Sequence, residues 1–430
     1  MLIYAEHTDS PRLSYTLHEV FIRRLGISYE VTNNQSALHA YQGPKINYSH
    51  FEIDGCLQIN PHTLLFETEL NNHSISGRHN HEWDTLMLEQ HADIPFDLFA
   101  ASFYLLSRYE EYLPHKVDEH GRFDPEQSLA IQYGFIETPL VDKWAMKLKE
   151  ELEKRFGPVQ GKMPSYRFIP TFDIDTAYLY KGLEHTRQLK KTIKSATLFR
   201  FGKLAEQVQV LHRHHQDPYD TYTYIDEVTK GLKPLYFVLC GGDSEFDEAI
   251  PPETPEMKNL LARLAPLFKT GIHFSYDTYD NGALMEAEKK VLEQILNKPV
   301  TINRQHFLRF RLPQTMNLLI AHGIHEDYSM GYSDMCGFRA STAHPFAFYD
   351  LENNVATSLL LYPTSIMDVT LRFGMNLTIS SALNKAEQLI QEIRQVNGCC
   401  ITIWHNSNLS STNEWLIWRE VFEKIHSLAR

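Results

Sequence analysis

The stretch Tyr166-Arg167-Phe168-Ile169-Pro170-Thr171-Phe172-Asp173-Ile174-Asp175 governs the reading of the chain. Its first seven residues read as a strand, which runs directly into two carboxylates separated by one residue. An extended backbone points both to the same side, where one can bind a cation and the other accept a proton. An Asp-rich turn or a helix cap is the plain alternative.

Outward from this stretch, short apolar strands alternate with helices. Residues 235–239, 271–274, 358–361 and 400–404 read as strands, and residues 284–296 and 382–396 as the clearest helices. That alternation predicts a parallel sheet or barrel with covering helices. The polar, helix-like residues 179–229 read as an insertion between the first two strands. On the N-terminal side, Leu2-Ile3-Tyr4 is strand-like, and Ser10-Pro11 can cap a helix carrying Leu13, Leu17, Val20 and Phe21 to a stop at Gly26. Ile27, Tyr29 and Val31 alternate as a strand; residues 96–112 and a segment carrying Leu140, Trp144, Leu148 and Leu152 read as helices. The expected division is a small α/β domain, residues 1–161, a polar boundary at Gly161-Lys162-Met163-Pro164-Ser165, and a second domain over residues 166–430.

Composition bounds the function. Of 430 residues, 43% are hydrophobic and 22% charged, which excludes wholesale disorder. A formal charge of −13 disfavours nucleic acid as a partner. No apolar run approaches the roughly 18 residues needed to span a bilayer, and no signal peptide is readable. Five cysteines, with no Cys-x-x-Cys pair, fit a reducing cytoplasm better than a disulfide framework.

The candidate chemistry lies at strand ends, where the loops of a parallel α/β barrel converge. His273 ends one strand; a neutral imidazole with a carboxylate from another strand suits a divalent cation such as zinc. Arg304, His306 and Arg309 interleave with apolar residues in a segment that can equally be a surface strand. His405 and Asn406 follow residues 400–404, a good place for a general acid. The run His212-Arg213-His214-His215, and the pair His79 and His81, read as solvated faces, because adjacent helix positions diverge. Gly241-Gly242 lacks the phosphate-loop pattern with its Lys.

Taken in order, these segments resemble the polysaccharide deacetylase family, carbohydrate esterase family 4, and more closely its bacterial branch with an extra N-terminal domain. The likeness covers residues 166–430, and Leu105-Leu106-Ser107-Arg108-Tyr109-Glu110-Glu111-Tyr112 is similar to that branch's N-terminal domain. Thr171-Phe172-Asp173-Ile174-Asp175 resembles the motif Thr-Phe-Asp-Asp-Gly, whose first Asp is the base and second a metal ligand. Here Ile174 takes the usual ligand position and Asp175 the next. The second motif, His-x-x-x-His, is met by His273 but has Asp277 in place of its second histidine. Either Asp277 or His306, from Arg304-Gln305-His306-Phe307 in place of Arg-Pro-Pro-Tyr, completes the site; His306 is favoured. His405 matches the final Leu-x-His motif, with Trp404 at its middle position.

The resemblance implies a distorted (β/α)7-type barrel preceded by the small α/β domain. It implies a metal-dependent carbohydrate deacetylase that removes N-acetyl groups from a cytoplasmic sugar or polysaccharide precursor. Asp173 would be the base, His405 the acid and Arg304 the partner of Asp173. Asp175, His273 and His306 would hold a divalent metal, zinc first. Trp404, Arg339 and Tyr276 would contact the N-acetylated sugar or oligosaccharide, with Trp404 as an apolar wall. The changes at Ile174 and Asp277 keep open a carbohydrate-binding descendant without catalysis, and the barrel alone keeps open a metal-dependent hydrolase of another amide or ester. The N-terminal domain is expected to pack on the barrel and shape its opening, against a loose tether as the alternative. The sugar, the metal and the oligomeric state stay open.

Overall fold

The computed structural model describes all residues except 79–82, 88–89, 184–186, 190–191, 194–196, 198–200, 213 and 413. His79, His81 and Arg213 therefore lie outside the described residues. Near the N-terminus, strands β1 (Leu2–Ala5), β2 (Glu30–Thr32), β3 (Lys45–Tyr48) and β4 (Leu57–Ile59) form an all-parallel sheet in the order β2-β1-β3-β4. The first helix, Pro11–Leu17, starts as its sequence demands: the Ser10 side chain accepts a hydrogen bond from the Leu13 amide, with Pro at the first helical position. It widens into π-type turns over His18–Arg24, burying Val20 and Phe21 beside Leu13 and Leu17. Gly26, at φ +63°, ends the run, and a β-carbon there would strike the backbone of Lys162. The segment after residue 160 is thus seated on this turn, and the Lys162 amide donates to the Gly26 carbonyl at 3.3 Å.

The helix expected over residues 96–112 is shorter. Leu98–Leu106 is helical, capped by Asp97, and Arg108 at φ +53° breaks it before a single 3-10 turn, Tyr109–Glu111. The break lets the Arg108 guanidinium reach Glu111 at 2.7 Å and the Tyr332 hydroxyl at 3.2 Å, contacts that satisfy a buried cation. The strand expected around Ile27 likewise contracts to β2. The helix Leu140–Phe156 stops at Gly157, φ +81°, as its sequence predicts.

After a two-stranded hairpin, β5 (Gly77–Arg78) and β6 (Thr85–Leu86), the remaining strands build one mixed sheet. They are β7 (Arg167–Ile174), β8 (Leu235–Leu239), β9 (Lys269–Phe274), β10 (Ile302–Gln305), β11 (Glu326–Asp327), β12 (Phe346–Asp350), β13 (Val355–Leu361), β14 (Ile366–Met367) and β15 (Cys399–His405). Their order is β12-β13-β11-β10-β9-β8-β7-β15-β14, parallel throughout except for the β12–β13 pair. The last strand lies beside the first, β15 against β7, and β7 to β11 follow one another in chain order along the row. Among the described residues, no pairing joins β13 or β12 to β14, so the row has one seam. The helices Gly282–Leu296 and Ile379–Gln395 cover it where the sequence places them.

One apolar core runs through both parts of the chain, from Ile3 and Phe99 to Tyr349 and Trp404. Polar bonds cross the same contact. Glu19 accepts from the Ala347 amide, Asp142 from Thr342 and the Ala343 amide, and Tyr15 donates to the Ala347 carbonyl. Glu111 pairs with Arg339 at 2.7 Å. Of the inserted residues 179–229, Phe201–Leu211 and Tyr222–Val228 are helical. Among the described residues, no helix is long and apolar enough to cross a membrane, and all five cysteines are free and buried.

Candidate metal centre

The alternation of β7 decides which side chains reach the site. Phe172 and Ile174 face the core and are fully buried, so Asp173 and Asp175 share the opposite face at the strand's C-terminal end. Register brings the neighbours alongside: His405 on β15 is paired with Asp173, and Arg304 on β10 with His273 on β9. The segment carrying Arg304 is an interior strand rather than a surface one, and Arg304 is fully buried. These strand ends border a cavity of about 750 Å³ that Asp173, Asp175, His273, His306 and His405 line together.

Asp175, His273 and His306 converge there, each offering one ligand atom, all within 4.8 Å of one another. His273 Nε2 lies 3.3 Å from Asp175 Oδ1, and His306 Nε2 lies 3.7 Å from Asp175 Oδ2. Metal bonds of ~2.1 Å at tetrahedral angles separate ligand atoms by about 3.4 Å, close to these two contacts, which run to different oxygens of Asp175. The second nitrogen of each ring is committed elsewhere. His273 Nδ1 donates to the Arg304 carbonyl at 2.8 Å, and His306 Nδ1 donates to Asp247 Oδ1 at 2.9 Å. When the rings are neutral, those bonds select the tautomers whose Nε2 lone pairs face Asp175. Asp175 Oδ1 is buried and has no hydrogen-bond partner, the condition of an atom built to receive a cation. The donor set therefore fits a divalent ion of zinc type.

Without a cation, the same geometry shifts the titrations. Burial would raise the Asp175 carboxyl, but His306 and His405 facing it, with His273 close by, hold it well below the usual carboxylate range. Burial lowers the affinity of His306 for its proton, yet Asp175 and Asp247 outweigh that and push it up to about 9. His405 behaves alike: burial lowers it, and Asp368 and Asp175 carry it up to about 10.

Beside the ligand group stand two further pairs. Arg304 Nη1 donates to Asp173 Oδ1 at 2.6 Å, in the interior, while its guanidinium lies 4.4 Å from the Phe237 ring centroid. His405 Nδ1 donates to Asp368 Oδ1 at 2.8 Å, and the His405 amide and the Asn408 side chain donate to Asp368 Oδ2. His405 Nε2 is left 3.7 Å from Asp175 Oδ2.

Sequence reasoning missed Asp247 and Asp368. Asp368 follows a strand only two residues long, too short to read. Asp247 lies just beyond Gly241-Gly242, which is the signal that can locate it. Gly242 has φ +99°, and a β-carbon there would collide with the Asp247 side chain, so the glycine admits this carboxylate beneath His306.

Three substrate contacts expected from sequence are placed elsewhere. Trp404 is fully buried, with its ring 4.9 Å from Phe422, because a strand that turns His405 to the cavity turns its neighbour into the core. Leu308, Met367 and Val369 form the apolar side of the cavity instead. Arg339 is buried between the two parts of the chain, held by Glu111 and the Gly331 carbonyl. Tyr276 stands behind the cavity wall, hydrogen bonded to His120 and packed on Phe246. Asp277, the rival third ligand, points outward with 61% of its side chain exposed and pairs loosely with Arg309 at 3.4 Å. His212, His214 and His215 are exposed.

Residues 1–157 match a family of unknown function (DUF7033). No curated protein sequence matches the chain. Among solved structures, one designated a polysaccharide deacetylase, from Mycobacterium smegmatis, is similar at 16% identity and a TM-score of 0.38, over 63% of this chain and 87% of that one. The Puue allantoinase is similar at 10% identity and a TM-score of 0.35, covering 61% and 84%. A 4-alpha-glucanotransferase from Thermococcus litoralis reaches 12% identity and 0.36, covering 62% and 37%. Likenesses of this size assign no activity and no residue.

Proposed function

We propose that the chain is a metal-dependent hydrolase that removes an N-acetyl group from a sugar or polysaccharide precursor, on a distorted (β/α)7-type barrel. The observation that carries the hydrolytic reading is the orphaned Asp175 Oδ1 facing the free Nε2 atoms of His273 and His306, with a paired carboxylate and a paired imidazole on either side. The sugar specificity rests on the motif resemblance. The free, buried cysteines support a reducing compartment.

An amide is a poor electrophile with a poor leaving group, so hydrolysis needs an activated water, a stabilised oxyanion and a proton for nitrogen. Asp175, His273 and His306 would hold a divalent cation, which would supply Lewis acidity at the site. Asp173, fixed by the hydrogen bond from Arg304, takes the proton of the attacking water. His405, kept protonated and oriented by Asp368, faces the cavity with Nε2 and delivers its proton to the departing amine. Leu308, Met367 and Val369 provide the apolar surface for the acetyl methyl group.

The test is acetate release from N-acetylated monosaccharides and oligosaccharides by zinc-loaded protein. The proposal requires turnover that a chelator abolishes, that added zinc restores, and that Asp173→Asn lowers about 10²- to 10⁴-fold with metal retained. Metal-loaded protein that releases no acetate from any of them contradicts the deacetylase reading.

A further inference from the structure

The turn that presents His306 is not self-supporting. Immediately after His306, Phe307 and Leu308 are both left-handed, at φ +62° and +50°, an arrangement that non-glycine residues adopt only when their surroundings impose it. The surroundings come from the N-terminal part of the chain. Residues 118–122 form a tight turn in which Asp118 accepts from the His120 and Arg122 amides and from Arg122 Nε. The guanidinium so fixed reaches across to the other part and donates from Nη1 to the Phe307 carbonyl at 2.9 Å. A second bond closes the contact in the opposite sense: Arg309 Nε donates to the His120 carbonyl at 2.7 Å. Between the two bonds, the His120 ring packs edge-on to Phe307 at 5.0 Å and hydrogen bonds with the Tyr276 hydroxyl at 2.9 Å. The first residue of the strained pair, Phe307, and the residue after it, Arg309, are therefore gripped by one turn more than 180 positions away in sequence.

We infer that the Asp118–Arg122 turn completes the candidate metal centre from outside, with Arg122 and Asp118 as positioning residues that hold His306 in its ligand position. The inference rests on the metal reading above and extends it. Cation affinity then depends on a segment that contributes no ligand, and the N-terminal part of the chain is a component of the metal site rather than only a wall of its opening. Strain at Phe307 and Leu308 is what makes the grip necessary, because a relaxed turn would swing the preceding imidazole away from Asp175.

The experiment measures zinc affinity of the full chain by chelator competition, without substrate, together with hydrogen–deuterium exchange over residues 303–311. Arg122→Ala and Asp118→Asn are expected to weaken zinc about tenfold, at the lower end of the loss for outer partners of a metal ligand, and to speed exchange in that segment. Arg122→Lys, which still carries a donor, is expected to recover part of both. Glu119→Gln, on the same turn with its carboxylate 88% exposed, is expected to change neither. A wild-type protein that binds no zinc overturns the metal reading and this inference together. Wild-type binding with affinity and exchange unchanged in folded Arg122→Ala overturns this inference alone, as does equal weakening by Glu119→Gln.

Discussion

Asp368 grips His405 twice, accepting from its Nδ1 at 2.8 Å and from its backbone amide at 2.9 Å, and so aims Nε2 at the cavity that Asp175 enters from β7. Burial alone would strip the proton from this imidazole, yet in the cation-free protein Asp368 and then Asp175 hold it up to about 10. A cation on Asp175 would offset the second of these, leaving Asp368 as the charge that keeps the proton on His405 at neutral pH. Replacing Asp368 by Asn removes the largest opposing charge, so the alkaline limb of the pH–rate profile moves to lower pH. Turnover at neutral pH falls at least about tenfold with zinc retained. An unmoved alkaline limb contradicts the acid assignment.

The pH dependence of metal binding has a definite sign. His306 in the cation-free protein is protonated up to about 9, since Asp175 and Asp247 outweigh the effect of burial. A cation must displace that proton, so zinc affinity rises with pH, by about tenfold per unit below 9 for one proton released. Competition titrations at three pH values, in two buffers of different ionisation enthalpy, measure both the slope and the proton released. Affinity independent of pH contradicts the assignment of His306 as a ligand.

Glu111 is the buried carboxylate at the junction of the two parts, shared by Arg339 and Arg108. Burial raises its carboxyl, but those two guanidinium groups override it and depress it to about 2. A group depressed on folding stabilises above its unfolded value near 4.5 and loses that contribution as pH falls through 2. Glu111→Gln is expected to cost about 3 kcal/mol at pH 7, because buried Arg339 loses its carboxylate partner and Arg108 keeps only Glu110, and to weaken the acid dependence of stability between those values. Urea denaturation at pH 7 and pH 3 checks both. A loss under about 0.5 kcal/mol shows that Arg339 does not depend on Glu111.

The strand ends that border the cavity were legible because parallel strands follow a period of two and deliver their last residues to one edge. Asp173, Asp175, His273, His306 and His405 line one cavity for that reason, with Arg304 buried behind Asp173. The same period accounts for the misplaced wall, since Trp404 and His405 are adjacent and therefore face opposite ways. Asp247 was hidden because it reaches its histidine from a long loop, where spacing carries no periodic signal. Arg339 was hidden because its partner Glu111 lies 228 positions away, a pairing that only tertiary packing creates.

Trp404 offers a clean separation of core from site. Its ring packs on Phe422 and near His426 from the last helix, so Trp404→Ala is expected to cost about 3–5 kcal/mol of stability. Trp404→Phe, which keeps an aromatic ring in the core, is expected to leave the KM for any turned-over substrate within about twofold. A KM raised tenfold or more by Trp404→Phe, in a variant of wild-type stability, places Trp404 against substrate after all.

The central claim is that Asp175, His273 and His306 form one cation site. Elemental analysis of mildly purified protein, wild type beside His273→Ala, His306→Ala and Asp277→Ala, tests it most directly. The account predicts one divalent ion per chain in the wild type and in Asp277→Ala, and loss of that ion in both histidine variants. A wild type without stoichiometric metal, or histidine variants that retain it while Asp277→Ala loses it, contradicts the claim.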